Sequence, residues 1–325
     1  MFFELKSVTK CYGRNTIVDE ISMQVDRGDI VSIIGPSGVG KTTLLKLIAG
    51  LEPLTSGEIT FEVEPTTKHP VILVFQDFIL FPNLTVFENV AFGLRARKLP
   101  RKHIEERVVS ILGYFDIGEL RDAYPGRLSA GQRQRAAIAR AMVVEPSVLL
   151  LDEPFAHLDK NLRLGTAEFI RSTQKEFGVT TVSVTHDLQE AFAMSDKIGI
   201  MLDGRLVQFD TAEKIYFEPN TFEVAKFLGP VNVIPETLFE TLGVRRECEE
   251  HRGPVFARAE GIAIEKDGNG SGVVVDVCFV GVLILYKVQV QESVFTVYSL
   301  SNGISEGDRV RLTVERCSGA YEGSV

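Results

Sequence analysis

The sequence predicts a largely parallel α/β sheet carrying a helical insertion, followed by a smaller β-rich domain. Three observations predict it. Over the first two thirds, short apolar runs alternate with amphipathic stretches, as in βαβ units. The runs are continuous and β-branched or Leu-rich, so their strands are covered on both faces. From about Val231 the texture changes to period-2 alternation broken by Gly-rich turns, which reads as a separate β domain.

In chain order, Ile30–Ile34, Val71–Phe75, Val148–Leu151 and Thr180–Val184 read as strands. Helical periodicity covers Lys41–Ala49 (closed by Gly50), Thr85–Leu94, Arg101–Leu112, Gln132–Val144, Leu162–Phe177 and Leu188–Met194. Thr85-Val86-Phe87-Glu88 and Ser129-Ala130-Gly131-Gln132 both fit the capping box, which fixes two helix starts. Helical patterns cluster over 89–144, between two sheet strands, and this is the expected insertion. The first domain is expected over 1–230, with Phe227-Leu228-Gly229-Pro230 as the linker. The second covers 231–325, with turns at Asp267-Gly268-Asn269-Gly270 and Glu306-Gly307-Asp308.

The composition is that of a globular protein: 325 residues, 45% hydrophobic and 24% charged, enough for about two domains at roughly 100–200 residues each. Lys and Arg number 35 against 44 Asp and Glu, and the net charge of −9 argues against a general nucleic-acid coat protein. Apolar stretches such as Val277–Leu285 fall short of the roughly 18–20 residues that cross a bilayer as a helix, so no span is expected. Met1-Phe2-Phe3-Glu4-Leu5-Lys6 has no export-signal pattern. Cys11, Cys248, Cys278 and Cys317 are far apart with no Cys-x-x-Cys pair, and read as reduced thiols of a cytoplasmic protein.

Two motifs carry chemistry. Gly35-Pro36-Ser37-Gly38-Val39-Gly40-Lys41-Thr42 matches G-x-x-x-x-G-K-[ST] between a buried strand and a helix, with Thr43 next in line. Its glycines let backbone amides curl around phosphate oxygens, and the helix adds its positive end. Lys41 supplies a mobile charge for the β and γ phosphates, and the Thr42 hydroxyl is placed to ligate Mg²⁺. Downstream, Val148-Leu149-Leu150-Leu151-Asp152-Glu153-Pro154 ends an apolar strand in two acids. Neighbouring side chains on a strand point to opposite sides, which divides the work: Asp152 for the metal's water shell, Glu153 as base or water-orienting group.

This order of elements resembles the ATP-binding-cassette (ABC) ATPases over nearly all of residues 1–230. Leu128-Ser129-Ala130-Gly131-Gln132 resembles that family's signature, with Ala130 where Gly is usual. The resemblance implies a P-loop NTPase with a RecA-like core and a helical subdomain, hydrolysing ATP with Mg²⁺. It implies that Ser129, Gly131 and Gln132 reach the γ phosphate held by the other chain of a homodimer. It further implies that Gln76 touches the metal or the attacking water, that His186 contacts the γ phosphate, that Asp159 lies in the loop crossing the dimer, and that Tyr12 stacks on adenine.

The tail from about Asn232 resembles the small OB-like (TOBE) barrel of prokaryotic importers of sugars, polyamines, iron and oxyanions. Arg258-Ala259-Glu260 stands where that group often has Arg-Pro-Glu, and Asp276 through Gly281 resembles its strand and turn. With one cassette, the implied partners are two separate permease subunits and, indirectly, an extracytoplasmic solute-binding protein, with no nucleic acid. The implied location is the cytoplasmic face of the membrane. Phe78 to Leu94 resembles the surface that receives a permease's coupling helix. Arg95, Arg97, Lys98, Arg101 and Lys102 read as a solvated basic face, with lipid-headgroup contact as the alternative. Two other readings compete: a non-transport ABC protein of nucleic-acid repair or ribosomes, and a nucleotide sensor without turnover. The acidic balance, the single cassette and the absence of a long coiled-coil insertion oppose the first. Intact Glu153 and His186 oppose the second.

Overall fold

The computed structural model describes residues 1–76, 78–156, 160–244 and 253–319. The chain divides into two compact units, Met1–Ala212 and Glu213–Val325. Unit 1 runs β1 (Phe3–Tyr12), β2 (Asn15–Val25), β3 (Ile30–Ile34), α1 (Lys41–Ile48), β4 (Ser56–Phe61), β5 (Val71–Val74), α2 (Val86–Ala96), α3 (Arg101–Tyr114), α4 (Ala130–Met142), β6 (Val148–Asp152), α5 (Lys160–Phe177), β7 (Thr180–Thr185), α6 (Leu188–Met194), β8 (Lys197–Leu202) and β9 (Arg205–Thr211).

The main sheet has the order β5-β6-β7-β3-β8-β9, with β9 alone antiparallel. Its continuous apolar runs split by alternation between two cores. Leu149 and Leu151 of β6 join the cluster with Val86, Val90, Ala136 and Phe155, whereas Val148 and Leu150 join the one with Phe3, Leu5, Leu44 and Leu45. Asp152, next in the alternation after Leu151, is thereby carried to the α1 side. The expected helical insertion is present as α2, α3 and α4, and both capping boxes form.

A three-stranded antiparallel sheet, β2-β1-β4, lies outside the sequence expectation. Its alternation is broken by register shifts between Leu5 and Val8 and between Val8 and Cys11, with Ser7 and Glu20 at positive φ, so no clean period of two survives. Asn89, fully buried in α2, shapes the loop ahead of that helix. Its Oδ1 accepts from the Phe81 amide at 2.8 Å, and its Nδ2 faces the carbonyls of Phe81, Leu84 and Thr85 at 3.0–3.1 Å.

Unit 2 opens with helix α7 (Ala212–Phe217), which begins at the unit boundary, and α8 (Phe222–Phe227). It continues with β10 (Val231–Val233), α9 (Phe239–Leu242), β11 (Val255–Arg258), β12 (Ile262–Lys266), β13 (Gly272–Phe279), β14 (Ile284–Val290), β15 (Ser293–Ser299), β16 (Arg309–Val314) and β17 (Ser318–Gly319). Five strands form one antiparallel sheet, β12-β16-β13-β14-β15, and three form another, β10-β11-β17. Alternation is clean in β16, where Val310, Leu312 and Val314 point to the core with Val288, Phe295 and Val297.

Two expectations are corrected here. The units divide at Ala212/Glu213, ahead of the linker placed at 227–230, because α7 and α8 pack on the tail strands: Phe222 lies 5.6 Å from Phe256, and the Arg258 guanidinium stacks 4.2 Å over Tyr216. From Val231 onward the described elements are mostly strands, with α9 as a short helix among them. Cys317 is disulfide-bonded, whereas Cys11 and Cys278 are free; Cys248 lies outside the described residues. Sequence separation alone does not decide whether a cysteine is paired.

Asn89→Ala is expected to lower stability by about 2–4 kcal/mol, because it strands buried donors and acceptors of the loop; urea midpoints of the two proteins measure it. In unit 2, burial, the hydrogen bond to Glu260 and that carboxylate's charge hold the Tyr216 phenol up to about 12. An unfolded phenol titrates near 10, so this contribution to stability is whole below about pH 10 and is lost as pH rises through about 12. Tyr216→Phe should therefore lose less stability than the parent between pH 9 and pH 11; equal losses would remove Tyr216 from that role.

Candidate active site

The site forms where the carboxyl ends of β3, β6 and β7 meet the start of α1, the usual ligand position of an open α/β sheet. Gly38 and Gly40 take φ of 82° and 107°, which a side chain resists, and a Cβ on Gly40 would meet the Ile17 carbonyl at 2.5 Å. A Cβ on Gly35 would collide with the Met201 carbonyl. Among the described residues, the amides of Lys41, Thr42 and Thr43, in the first turn of α1, have no protein acceptor.

Lys41 is buried, and its ammonium donates to the carbonyls of Gly35 and Pro36, each at 2.8 Å. Burial pushes its pKa down, against the pull of the Glu153 and Asp152 charges. The Thr42 hydroxyl donates to Asp152 Oδ1 at 3.0 Å. Asp152 is pushed up by burial and by the Glu153 charge, against that hydrogen bond and the charges of Lys46 and Lys41.

Glu153 departs from the strand. Its φ is 45°, its amide donates to the Val184 carbonyl at 3.0 Å, and its Oε2 lies 3.3 Å from His186 Nδ1. The two acids thus have different surroundings, because the backbone turns at Glu153 instead of continuing the strand's alternation. His186 stands in the elbow between β7 and α6. Asp187 caps α6 through the amides of Gln189 and Glu190, and buried Glu190 accepts from the Thr185 hydroxyl at 2.5 Å. Arg163 of α5 lies 3.4 Å from Asp187 and 3.3 Å from Glu190.

The remaining expected residues are spread more widely. Gln76 is exposed just past β5. Tyr12 ends β1, exposed, with its hydroxyl hydrogen-bonded to Glu52. Ser129 and Gln132 close their capping box at 3.3 Å and 2.9 Å, and Gly131 faces open space. No described hydrogen bond joins these three to the phosphate loop. Asp159 lies outside the described residues.

Sequence reading missed Gln134. It is buried on α4 and donates to the Pro154 carbonyl at 2.8 Å, tying that helix to the turn after Glu153. An amide on an otherwise Ala-rich buried face was its one signal. Asn89, Glu190 and Glu52 were missed likewise.

A family model described as ABC transporter matches residues 18–156. The spermidine/putrescine import ATP-binding protein PotA of Haemophilus influenzae is 41% identical over 269 residues, covering 81% of this chain and 72% of that protein. The chain belongs to the ABC transporter family. The Fe(3+) ions import ATP-binding protein FbpC of Escherichia coli O157:H7 is 38% identical over 83% of this chain and 82% of its own length. Among solved structures, cbiO1 of Clostridium perfringens, part of the ABC transporter complex cbiONQ, aligns with a TM-score of 0.62 at 31% identity, over 66% of this chain and 90% of that one. A dimeric ATP-binding cassette in a post-hydrolysis state with ADP and phosphate aligns with a TM-score of 0.57 at 30% identity, over 65% and 98%. As an ABC ATPase the chain binds and hydrolyses ATP. No helix among the described residues is long and apolar enough to cross a membrane.

Replacing Gln134 by Leu, of similar volume, leaves the Pro154 carbonyl without its donor. Turnover is expected to fall about threefold to tenfold with nucleotide affinity little changed, read as kcat against KM for ATP.

Proposed function

We propose that this chain is the ATP-hydrolysing subunit of a solute importer, working as a homodimer beneath two separate permease subunits on the cytoplasmic face of the membrane, fed by an extracytoplasmic solute-binding protein. The observation that carries the hydrolytic part is the convergence of Lys41, Thr42, Asp152, Glu153 and His186 on one sheet end. Import is supported by relatives that bear import names, for polyamine in one case and ferric ion in another.

In this reading adenine lies on Tyr12, and the phosphates lie in the loop from Gly35 to Thr43. The Thr42 hydroxyl and Asp152 carboxylate are hard oxygen donors already in contact, and with Gln76 they fit Mg²⁺. Magnesium, when bound, would supply charge neutralisation at the β and γ phosphates. Glu153 accepts a proton from the attacking water, and His186 orients it and the γ phosphate. Ser129, Gly131 and Gln132, with Asp159, complete the partner's site: a capped helix start whose first amides are open is an anion site. Each chain then holds half of two sites. Unit 2 is read as an OB-like (TOBE) regulatory barrel built on its five-stranded sheet. Ile79, Phe81 and Phe92, exposed beside buried Phe78 and Leu80, are the surface offered to the permease.

Glu153→Gln is expected to bind ATP, lose hydrolysis by about a hundredfold or more and accumulate as a nucleotide-bound dimer in size-exclusion chromatography. Unchanged turnover would remove Glu153 from the base role. Lys41→Ala should lose nucleotide binding itself, and wild-type affinity in that variant would refute the phosphate-loop assignment. Specific activity should rise with protein concentration; a concentration-independent value in a monomer would sink the shared-site reading.

A further inference from the structure

Lys10 and Tyr12 are two residues apart on β1, and their side chains meet. The Lys10 ammonium lies 4.9 Å from the centre of the Tyr12 ring and over its face. Lys10 is 7% exposed, whereas Tyr12 is 47% exposed, so the ring is backed by a fixed cation on one side and open on the other. The Tyr12 hydroxyl is held by Glu52 Oε2, and the same carboxylate lies 3.5 Å from Lys10 and 3.7 Å from Lys46 of α1.

Glu52 is itself held from two directions. The last turn of α1 closes with Gly50 at φ 65°, its amide donating to the Leu47 carbonyl at 3.0 Å and the Leu51 amide donating to the Lys46 carbonyl at 2.9 Å. That pair of hydrogen bonds is a Schellman turn, and it delivers the chain to Glu52 in a set direction. Beyond Glu52 the segment is laced to β1. Lys10 donates to the Pro53 carbonyl at 2.8 Å, the Thr55 amide to the Thr9 carbonyl at 2.9 Å, and the Cys11 amide to the Thr55 hydroxyl at 2.9 Å. The carboxylate therefore links the helix that follows the phosphate loop to the strand that ends in Tyr12.

We propose that Glu52, with Lys10 behind the ring, is a positioning residue for the nucleobase: it fixes the tilt of the Tyr12 ring relative to α1 and thereby sets affinity for a purine triphosphate. This rests on the reading of Tyr12 as the base platform. Stacking on an aromatic ring is tolerant of base identity, and what a clamp adds is a ring held in one plane before the base arrives. A cation behind the ring draws electron density from the exposed face, which favours an electron-rich purine on it. Purines have more stacked area to lose than pyrimidines when the ring is freed.

The test is steady-state ATPase kinetics of the full chain with ATP and with UTP, using inorganic tripolyphosphate as a competitive inhibitor that reports the phosphate loop alone. Tyr12→Ala should raise the KM for ATP between about fivefold and a hundredfold. Glu52→Ala should raise it about threefold to tenfold with kcat within about twofold, shrink the preference for ATP over UTP, and leave the tripolyphosphate inhibition constant unchanged. Glu52→Gln, which keeps an acceptor for the Tyr12 hydroxyl, should restore most of the affinity, and Glu52→Ala should have no effect on a Tyr12→Phe background. If Tyr12→Ala weakens ATP and Glu52→Ala does not, the platform stands and the clamp is wrong. A parallel rise in the tripolyphosphate constant would make Glu52 a support of α1 and overturn the proposal. An unchanged KM in Tyr12→Ala would overturn the base-platform reading itself.

Discussion

Lys41 is buried with its ammonium against two backbone carbonyls, and the carboxylates that oppose its loss of charge, Glu153 and Asp152, act without an ion pair to it among the described residues. A cation taken out of water is costly unless negative charge compensates it. Here the compensation is partial by construction. Carbonyl dipoles keep the ammonium aimed, and one of the two acids is occupied by the Thr42 hydroxyl. In the proposed reading a triphosphate supplies what the loop lacks, so binding energy comes from completing an arrangement that already exists rather than from building one. The glycines at positive φ, the open amides of α1 and the two acids at the end of β6 all serve that one placement.

What was legible in the sequence is what local chemistry dictates. The phosphate loop, the apolar strands and the two capping boxes are each set by residues within a few positions of one another, and all of them form. What was not legible depends on distant segments. Asn89 is one polar residue on a helix until the loop over 81–85 folds back onto it, and Gln134 has no partner until β6 brings Pro154 beneath α4. The bulged β1 hides its alternation, and Glu52 gains meaning through contact with a strand 40 residues earlier. Tail helices α7 and α8 read as part of the first domain because their apolar faces do not say which sheet they cover.

The two capped helices show how one sequence signal reaches two outcomes. In α2 the amides of Val86 and Phe87 donate to the carbonyls of Ala123 and Arg121, each at 2.9 Å, so this start is closed by protein. In α4 the box formed by Ser129 and Gln132 is the same, yet no described acceptor meets the amides of Ala130 and Gly131. The capping box satisfies the third amide of a helix and leaves the first two to their surroundings. It is the return of the chain after α3, rather than the motif, that closes one start and leaves the amides of the other open.

Glu153 shows why the two acids differ. Continued alternation would have aimed it into the core that holds Leu149 and Leu151, where an ionised carboxylate is expensive. Instead the backbone turns through a positive φ that a non-glycine residue adopts at a cost of order 1–3 kcal/mol. The turn is held by the amide bond to Val184 of β7, the strand that leads two residues later to His186. The proposed base and its neighbour are therefore set by the same pair of strands. Their 3.3 Å separation follows from the β6–β7 register, in which Asp152 stands beside Val184. Any change that loosens that register alters their separation, so the site keeps its internal geometry only for as long as the sheet keeps its own.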